Sequence, residues 1–366
     1  MNSGKHYLLI CVYSHGVINF RSNLIKSLIE KGNSVSIISF DDIFKEEIIK
    51  MGCSFYVITD NNRSLSPFKI LSLKHKYKQI IKKVNPDVVF TFMLKPNIFG
   101  VLAARDLKID SIFSMVEGVG DSFINKGIKW SIIRFFTCFL YKKALKFAKK
   151  VFFLNDCDID DFVNFKLVSK DQCVRINGIG IDLDKFSYRE VKSHSSFLMV
   201  ARLLKTKGVL EYCECARKVK LKYPNSIFSL LGAEGSIKIK DIQSYIDDSS
   251  IVYLGTTKDV RPFLEDASVL VLPSYREGMP VSIMEAEAIG RLIVTTDVPG
   301  CRDTVVNDYN GFIVEKQNVD QLAEKIMYIL DNPQIIKKYG INSRIFAEEN
   351  FDYKKINEKI IEVISE

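Results

Sequence analysis

Short, almost unbroken apolar runs alternate with longer amphipathic stretches along the whole chain. In the first half, Tyr7–Tyr13, Ser34–Ser39, Ser54–Ile58, Asp87–Phe92, Ser111–Val116 and Val151–Leu154 are rich in Val, Ile and Phe and predict buried strands. Between them, Asn19–Lys31, Ile70–Lys83 and Pro96–Asp106 carry the apolar spacing of helices. Strands that are apolar on both faces and followed by helices predict a parallel, doubly wound sheet. The second half repeats this grammar at Ser196–Ala201, Ser226–Leu231, Ile251–Leu254, Val269–Leu272 and Leu292–Thr295. The expected class is α/β, with two doubly wound domains and a cleft between them. Ligands of such sheets bind beyond the carboxyl ends of the strands, so the loops after each strand carry the functional information.

Length agrees with two domains, since 366 residues are about twice a common domain size. The expected division is 1–185, 186–350 and a C-terminal helix over 351–366 that crosses back to the first domain. The eight cysteines form no CxxC pair and have mostly apolar neighbours, which predicts reduced core residues rather than disulfides or zinc ligands. The apolar run near Met1 is too short for a signal segment, and no run reaches the roughly 18–20 residues of a spanning helix. A soluble or peripheral cytoplasmic protein is expected.

Charge divides the halves. Residues 1–190 hold 29 Lys and Arg against 19 Asp and Glu, while residues 191–366 hold 23 against 25. The whole excess of +8 therefore lies in the first half, which predicts that one domain meets an anionic surface. Residues 126–150 concentrate it: Lys126, Lys129, Arg134, Lys142, Lys143, Lys146, Lys149 and Lys150, with no acid and with Trp130, Phe135, Phe136, Phe139 and Tyr141 interleaved. Lys69, Lys74, Lys76, Lys78, Lys82 and Lys83 add a second basic face. Basic amphipathic helices with aromatics suit an anionic membrane surface, although a core helix with a solvated basic side has the same composition. Nucleic acid would use the same charge, but no recognition motif accompanies it.

The sharpest chemistry lies in Leu272-Pro273-Ser274-Tyr275-Arg276-Glu277-Gly278-Met279-Pro280-Val281-Ser282-Ile283-Met284-Glu285-Ala286. A strand ends, a glycine-containing loop follows, and a helix is expected to open with Pro280 at its first position. The free N–H groups of Val281 and Ser282 then suit a phosphate. Glu277 and Glu285 flank that point as acceptors for sugar or ribose hydroxyls. A helix start with two solvated glutamates has the same spacing. After the strand ending at Val200, Arg202 and Lys207 bracket a loop before another helix, a fork and a point charge suited to a diphosphate.

Together these segments resemble the retaining family 4 glycosyltransferases. Glu277 to Glu285 is similar to their E-x7-E motif, and Arg202-Leu203 with Lys207-Gly208 to their donor-phosphate pair. Asn177-Gly178-Ile179-Gly180-Ile181-Asp182-Leu183-Asp184-Lys185-Phe186 resembles their interdomain segment, and the likeness continues through Thr296–Cys301 and Asn310-Gly311-Phe312. The resemblance implies the glycosyltransferase B fold of two Rossmann-like domains, the second binding a nucleotide sugar. It implies that Glu285 grips the ribose, Glu277 the donor sugar, and Arg202 and Lys207 the diphosphate. Amides from Gly278, Met279, Val281 and Ser282 around Pro280 would help, with Val260 near the base. It also implies front-face attack with the departing phosphate as base, so no side-chain nucleophile, cofactor or metal is expected.

In the first half, Lys95-Pro96-Asn97 with Gly100, Glu117-Gly118-Val119-Gly120, and Tyr141 leading to Asn155 resemble a bacterial subgroup. Its members transfer N-acetylhexosamines, N-acetylgalactosamine in the nearest cases, to undecaprenyl-diphosphate-linked saccharides. Where many family members carry a His in the acceptor loop, this chain has Glu117-Gly118. Lys95, Glu117, Gly118 and His15 are therefore expected at the acceptor side or cleft, and Gly16 at the donor. The protein is expected on the inner face of the plasma membrane. An epimerase of the same fold and a non-catalytic nucleotide-sugar binder remain alternatives; hydride transfer is disfavoured because no GxGxxG follows the first strand. Asp156-Cys157-Asp158, Asp158-Ile159-Asp160 and Asp182-Leu183-Asp184 resemble metal-binding DxD strings, but fall away from the donor loops.

Overall fold

The computed structural model describes residues 4–58, 67–120, 123, 127–192 and 195–366. Lys126 and the side chain of Lys69, both counted above among the basic positions, lie outside the described residues. The chain divides into two compact units, Met1–Ile179 with Lys354–Glu366, and Gly180–Tyr353.

Each unit is built on one parallel sheet. The first contains β1 (His6–Ile10), β2 (Ser34–Ser39), β3 (Ser54–Val57), β4 (Val88–Phe92), β5 (Ser111–Val116), β6 (Lys150–Phe153) and β7 (Cys173–Arg175), in the order β3-β2-β1-β4-β5-β6-β7. The second contains β8 (Ser196–Val200), β9 (Ile227–Leu231), β10 (Val252–Tyr253), β11 (Val269–Leu272), β12 (Leu292–Thr296) and β13 (Gly311–Val314), in the order β10-β9-β8-β11-β12-β13. The central strands are buried throughout, as in the Val-Val-Phe-Thr-Phe of β4 and the Val-Leu-Val-Leu of β11. Helices cover both faces of such sheets, so the strands read as continuous apolar runs rather than alternating ones. Strand order reverses between β1 and β4 in the first sheet and between β8 and β11 in the second, which opens a crevice at each reversal.

Two strands escaped the periodicity. β7 has three half-buried residues, too few to carry a pattern, and β13 begins on Gly311. A third difference follows β1, expected to run to Tyr13 but ending at Ile10: a helix then spans Ser14–Phe20, ahead of the one over Ser22–Glu30. Its first turn has no local side-chain cap, and Asp41 provides one from the next loop, accepting from the backbone N–H of Ser14 at 3.3 Å and from its hydroxyl. A cap 27 residues away leaves no mark on the local sequence. The C-terminal helix Tyr353–Ser365 packs its buried Ile356, Ile360 and Ile364, and Ser365 O accepts Lys5 Nζ at 2.5 Å.

Candidate active site

Three loops meet at the carboxyl ends of β8, β11 and β12, and two glycines make the meeting possible. Gly208 holds φ at +73°, where a Cβ would lie 2.1 Å from the carbonyl oxygen of Pro273. Gly300 holds φ at +81°, where a Cβ would lie 2.5 Å from the carbonyl oxygen of Glu277. Any side chain at either position would push the loops apart. Backbone bonds complete the joint: Tyr275 N–H donates to Thr206 O at 2.8 Å and Glu277 N–H to Pro299 O at 3.0 Å.

Inside the joint, Lys207 Nζ meets Glu277 Oε1 at 2.5 Å, and the buried Ser274 hydroxyl donates to the same oxygen at 2.7 Å. Lys207 is thus paired rather than a lone cation, although an ammonium has three donors and this contact uses one. Arg202 is exposed, and its side chain makes no hydrogen bond or ion pair among the described residues. The following helix runs Val281–Ile289 with Pro280 at its cap in an extended conformation, so Pro280 precedes the helix instead of opening it. Proline has no side-chain acceptor, and the cap makes no side-chain hydrogen bond. Among the described residues the N–H groups of Met279, Val281 and Ser282 meet no protein acceptor. Orphan amides at a helix start, with cations on the neighbouring loop, are groups that can hold a phosphate.

Glu285 lies one turn into that helix and is half-buried. Burial pushes its carboxyl from the usual 4.5 up to about 8, against the pull of Lys185 and with a smaller push from Asp259. Asp259 is itself held down at about 2 by the Arg261 fork, whose Nε and NH2 donate at 2.8 and 2.7 Å. Lys185 and Asp259 were not assigned from sequence, because their distance from Glu285 along the chain hides their electrostatic coupling. Val260 caps the short helix Arg261–Asp266, its carbonyl accepting from Phe263 and Leu264. Within the Thr296–Cys301 segment, burial pushes the Cys301 thiol up to about 12, with Glu277 adding to the shift, so it is no nucleophile. Asn310 is structural: buried, it donates to Glu287 Oε1 at 2.8 Å and to Thr304 O at 3.2 Å.

The first-unit candidates fall in different surroundings. His15 is exposed on the Ser14–Phe20 helix and stacks on Tyr13 at 5.4 Å, and Gly16 lies in the same helix of the first unit. Asn97, Tyr141 and Asn155 are buried and structural. Asn97 accepts from Thr91 Oγ1 at 2.8 Å, donates to Met115 O at 2.8 Å and bonds Tyr141, while Asn155 caps the Asp156–Asn164 helix. Lys95 is half-buried, with its ammonium 5.6 Å from the Phe40 ring centroid. Glu117, directly after β5, pairs with the buried Arg21, and Gly118 beside it is exposed. Of the DxD strings, Asp156 and Asp158 sit in a first helical turn, and Asp182 caps a turn by accepting from Asp184 and Lys185.

The helix Ile128–Leu145 has two apolar faces. Thr137, Tyr141, Ala144 and Leu145 are buried, so Tyr141 belongs to the core rather than to the surface. Ile128, Ile132, Phe135, Phe136 and Phe139 form a second stripe at helical spacing and are exposed, Ile128 by 83% and Phe135 by 69%. Lys129, Arg134, Lys142 and Lys143 lie on the same helix, Lys143 Nζ 4.3 Å from the Phe139 ring centroid. No helix of the described residues is long and apolar enough to cross a membrane.

Known proteins give this geometry a context. The family model for glycosyl transferases group 1 matches residues 181–346, and that for glycosyl transferase 4-like proteins matches residues 10–155. The chain is 31% identical over 365 residues, covering 94% of it and 96% of the relative, to an N,N'-diacetylbacillosaminyl-diphospho-undecaprenol alpha-1,3-N-acetylgalactosaminyltransferase of Campylobacter jejuni. It is 25% identical, over 81% of its length and 80% of the relative's, to a UDP-Gal:alpha-D-GlcNAc-diphosphoundecaprenol alpha-1,3-galactosyltransferase of Escherichia coli. The crystal structure of Anabaena HepE in complex with UDP superposes with a TM-score of 0.81 over 99% of both chains at 17% identity, a likeness of fold.

The Glu285 carboxyl gives the first test. Its folded form binds a proton more tightly than its unfolded form, so its contribution to stability is present below about pH 4.5 and is lost as pH rises through about 8. Glu285→Gln is expected to melt near wild type at pH 5 and to gain on it steadily up to pH 9. Thermal melts across that range check this; a difference that stays flat with pH contradicts the burial.

Proposed function

The chain belongs to the glycosyltransferases that join a glycosyl transferase 4-like unit to a group 1 unit, and from that premise we propose that it moves an N-acetylhexosamine from a UDP-sugar onto an undecaprenyl-diphosphate-linked saccharide, with retention. The observation that supports the donor half is that Lys207 and Arg202 lie in the loop after β8, while the orphan amides of Met279, Val281 and Ser282 follow the neighbouring β11, and the Lys207–Glu277 pair joins the two loops. A leaving UDP gains negative charge as the glycosidic bond breaks. Preorganised donors aimed at that charge stabilise departure more than they stabilise the bound substrate, by several kcal/mol.

Glu285, kept largely protonated near neutrality by burial, can both accept from and donate to the two ribose hydroxyls. Glu277 is fixed by Lys207 and Ser274, leaving it one orientation toward a donor-sugar hydroxyl. The acceptor belongs to the first unit in this reading, and the lipid carrying it explains the exposed stripe. Ile128, Ile132, Phe135, Phe136 and Phe139 enter the interfacial region of an anionic membrane while neighbouring cations meet its headgroups. The nature of the acceptors named for the relatives, undecaprenyl-diphosphate saccharides, supports this choice over a soluble acceptor.

Two outcomes test the reading. A panel of UDP-N-acetylgalactosamine, UDP-N-acetylglucosamine and UDP-galactose against undecaprenyl-diphosphate-linked N,N'-diacetylbacillosamine and N-acetylglucosamine is expected to give one extended lipid-linked product. Lys207→Ala and Arg202→Ala should each lower its kcat/KM about 10²–10³-fold with little change in melting temperature. An epimerised nucleotide sugar formed without acceptor would point to the other chemistry. On the membrane side, replacing Phe135, Phe136 and Phe139 with Ser should release the protein from phosphatidylglycerol vesicles in a flotation assay. Neutralising Lys142 and Lys143 should make that binding weaker and less salt-sensitive. Vesicle binding that ignores both changes argues against the stripe.

A further inference from the structure

The first unit contains an ion pair that nothing above puts to use. Arg21 is 4% exposed, in the break between the helices Ser14–Phe20 and Ser22–Glu30. Its guanidinium carbon stands 4.3 Å from the Phe92 ring centroid, its NH1 donates to Phe20 O at 2.9 Å, and its NH2 pairs with Glu117. Burial lowers its pKa to about 10, with Cys11 at the end of β1 pulling the other way. Phe92 ends β4 and Glu117 follows β5, so the pair lies at the carboxyl edge of the sheet, beside the reversal between β1 and β4.

A buried pair is a poor source of stability, because apolar side chains of the same volume do as well or better. What this one supplies is geometry. A planar guanidinium stacked on a ring and bonded to a carbonyl has one orientation left for its partner. The Glu117 side chain is 26% exposed against 5% for Arg21, so the carboxylate is held from its buried side while part of the side chain stays open to solvent. Next to it in the sheet order, Met93 leaves β4 with φ at +71°, a strained backbone of the kind that clusters at ligand sites.

The sign of the charge selects the ligand. Arg21 is neutralised by Glu117, and the group that reaches solvent is an acceptor of hydrogen bonds. It repels phosphate and suits a hydroxyl. We propose that Arg21 is a positioning residue that holds Glu117 as the hydroxyl-accepting group of a saccharide subsite, the one that receives the sugar of the lipid-linked acceptor. This rests on the glycosyl-transfer reading, with the first unit as the acceptor side.

The test uses the full chain and the donor–acceptor pair that wild type turns over in the panel above. Glu117→Gln is expected to raise the acceptor KM tenfold or more while UDP affinity by calorimetry stays within twofold. Arg21→Lys, which keeps the charge but not the planar fork, should raise the same KM, and the double variant should be little worse than either single one. An acceptor KM within twofold of wild type in folded Glu117→Gln would make the pair structural and overturn the proposal while leaving glycosyl transfer intact. A parallel loss of UDP affinity would assign the pair to the donor and overturn it equally. If Arg21→Lys fails to fold, Glu117→Gln decides alone. Wild type that binds UDP but extends no lipid-linked acceptor would remove the acceptor reading and this proposal with it.

Discussion

The 2.5 Å contact between Lys207 and Glu277 is the constraint on which the proposed donor site depends. It joins the loop after β8 to the loop after β11, the two strands that flank the reversal in the second sheet. A half-buried ion pair contributes little to stability by itself. Its effect is positional: with Ser274 on the same carboxylate oxygen, it fixes the loop that leads into an uncapped helix. Gly208 and Gly300 allow the close backbone approach that brings the partners within reach. Without the pair, the three orphan amides and the exposed Arg202 would remain, but the carboxylate would lose its tie to the loop after β8.

The two units solve opposite charge problems with similar architecture. In the second, orphan amides, the exposed Arg202 and the Glu277-paired Lys207 lie in the loops at the sheet's carboxyl edge, which suits the anionic ligand proposed above. In the first, the cation at the corresponding edge is buried and paired with Glu117, the residue proposed above to accept an acceptor hydroxyl. The first unit's positive charge lies instead on its surface, on the helix whose apolar stripe of Ile and Phe is exposed. The imbalance of 29 cations to 19 acids in residues 1–190 thus marks a surface rather than a catalytic charge.

Much of the fold was legible because parallel strands buried on both faces leave unmistakable apolar runs. What failed was short or capped at a distance: β7 with three residues, and the helix at Ser14, whose cap is Asp41. At the site, the motif positions Glu277, Glu285, Arg202 and Lys207 could be named from spacing and resemblance, since each lies in a loop after a strand or in the first turns of the helix that follows it. Their interactions could not. That Lys207 is paired, that Asp259 and Lys185 act on Glu285, and that Glu117 is held by Arg21 all depend on tertiary contacts between segments tens of residues apart. Asn97 and Asn310 show the converse: motif residues whose buried side chains serve the scaffold.

The most direct measurement is a crystal structure of the protein with uridine diphosphate bound. The account predicts phosphate oxygens within hydrogen-bond distance of the Met279, Val281 and Ser282 amides and of Lys207, with the ribose against Glu285. A nucleotide lodged elsewhere, or one bound here with its phosphates turned away from that helix start, would contradict it.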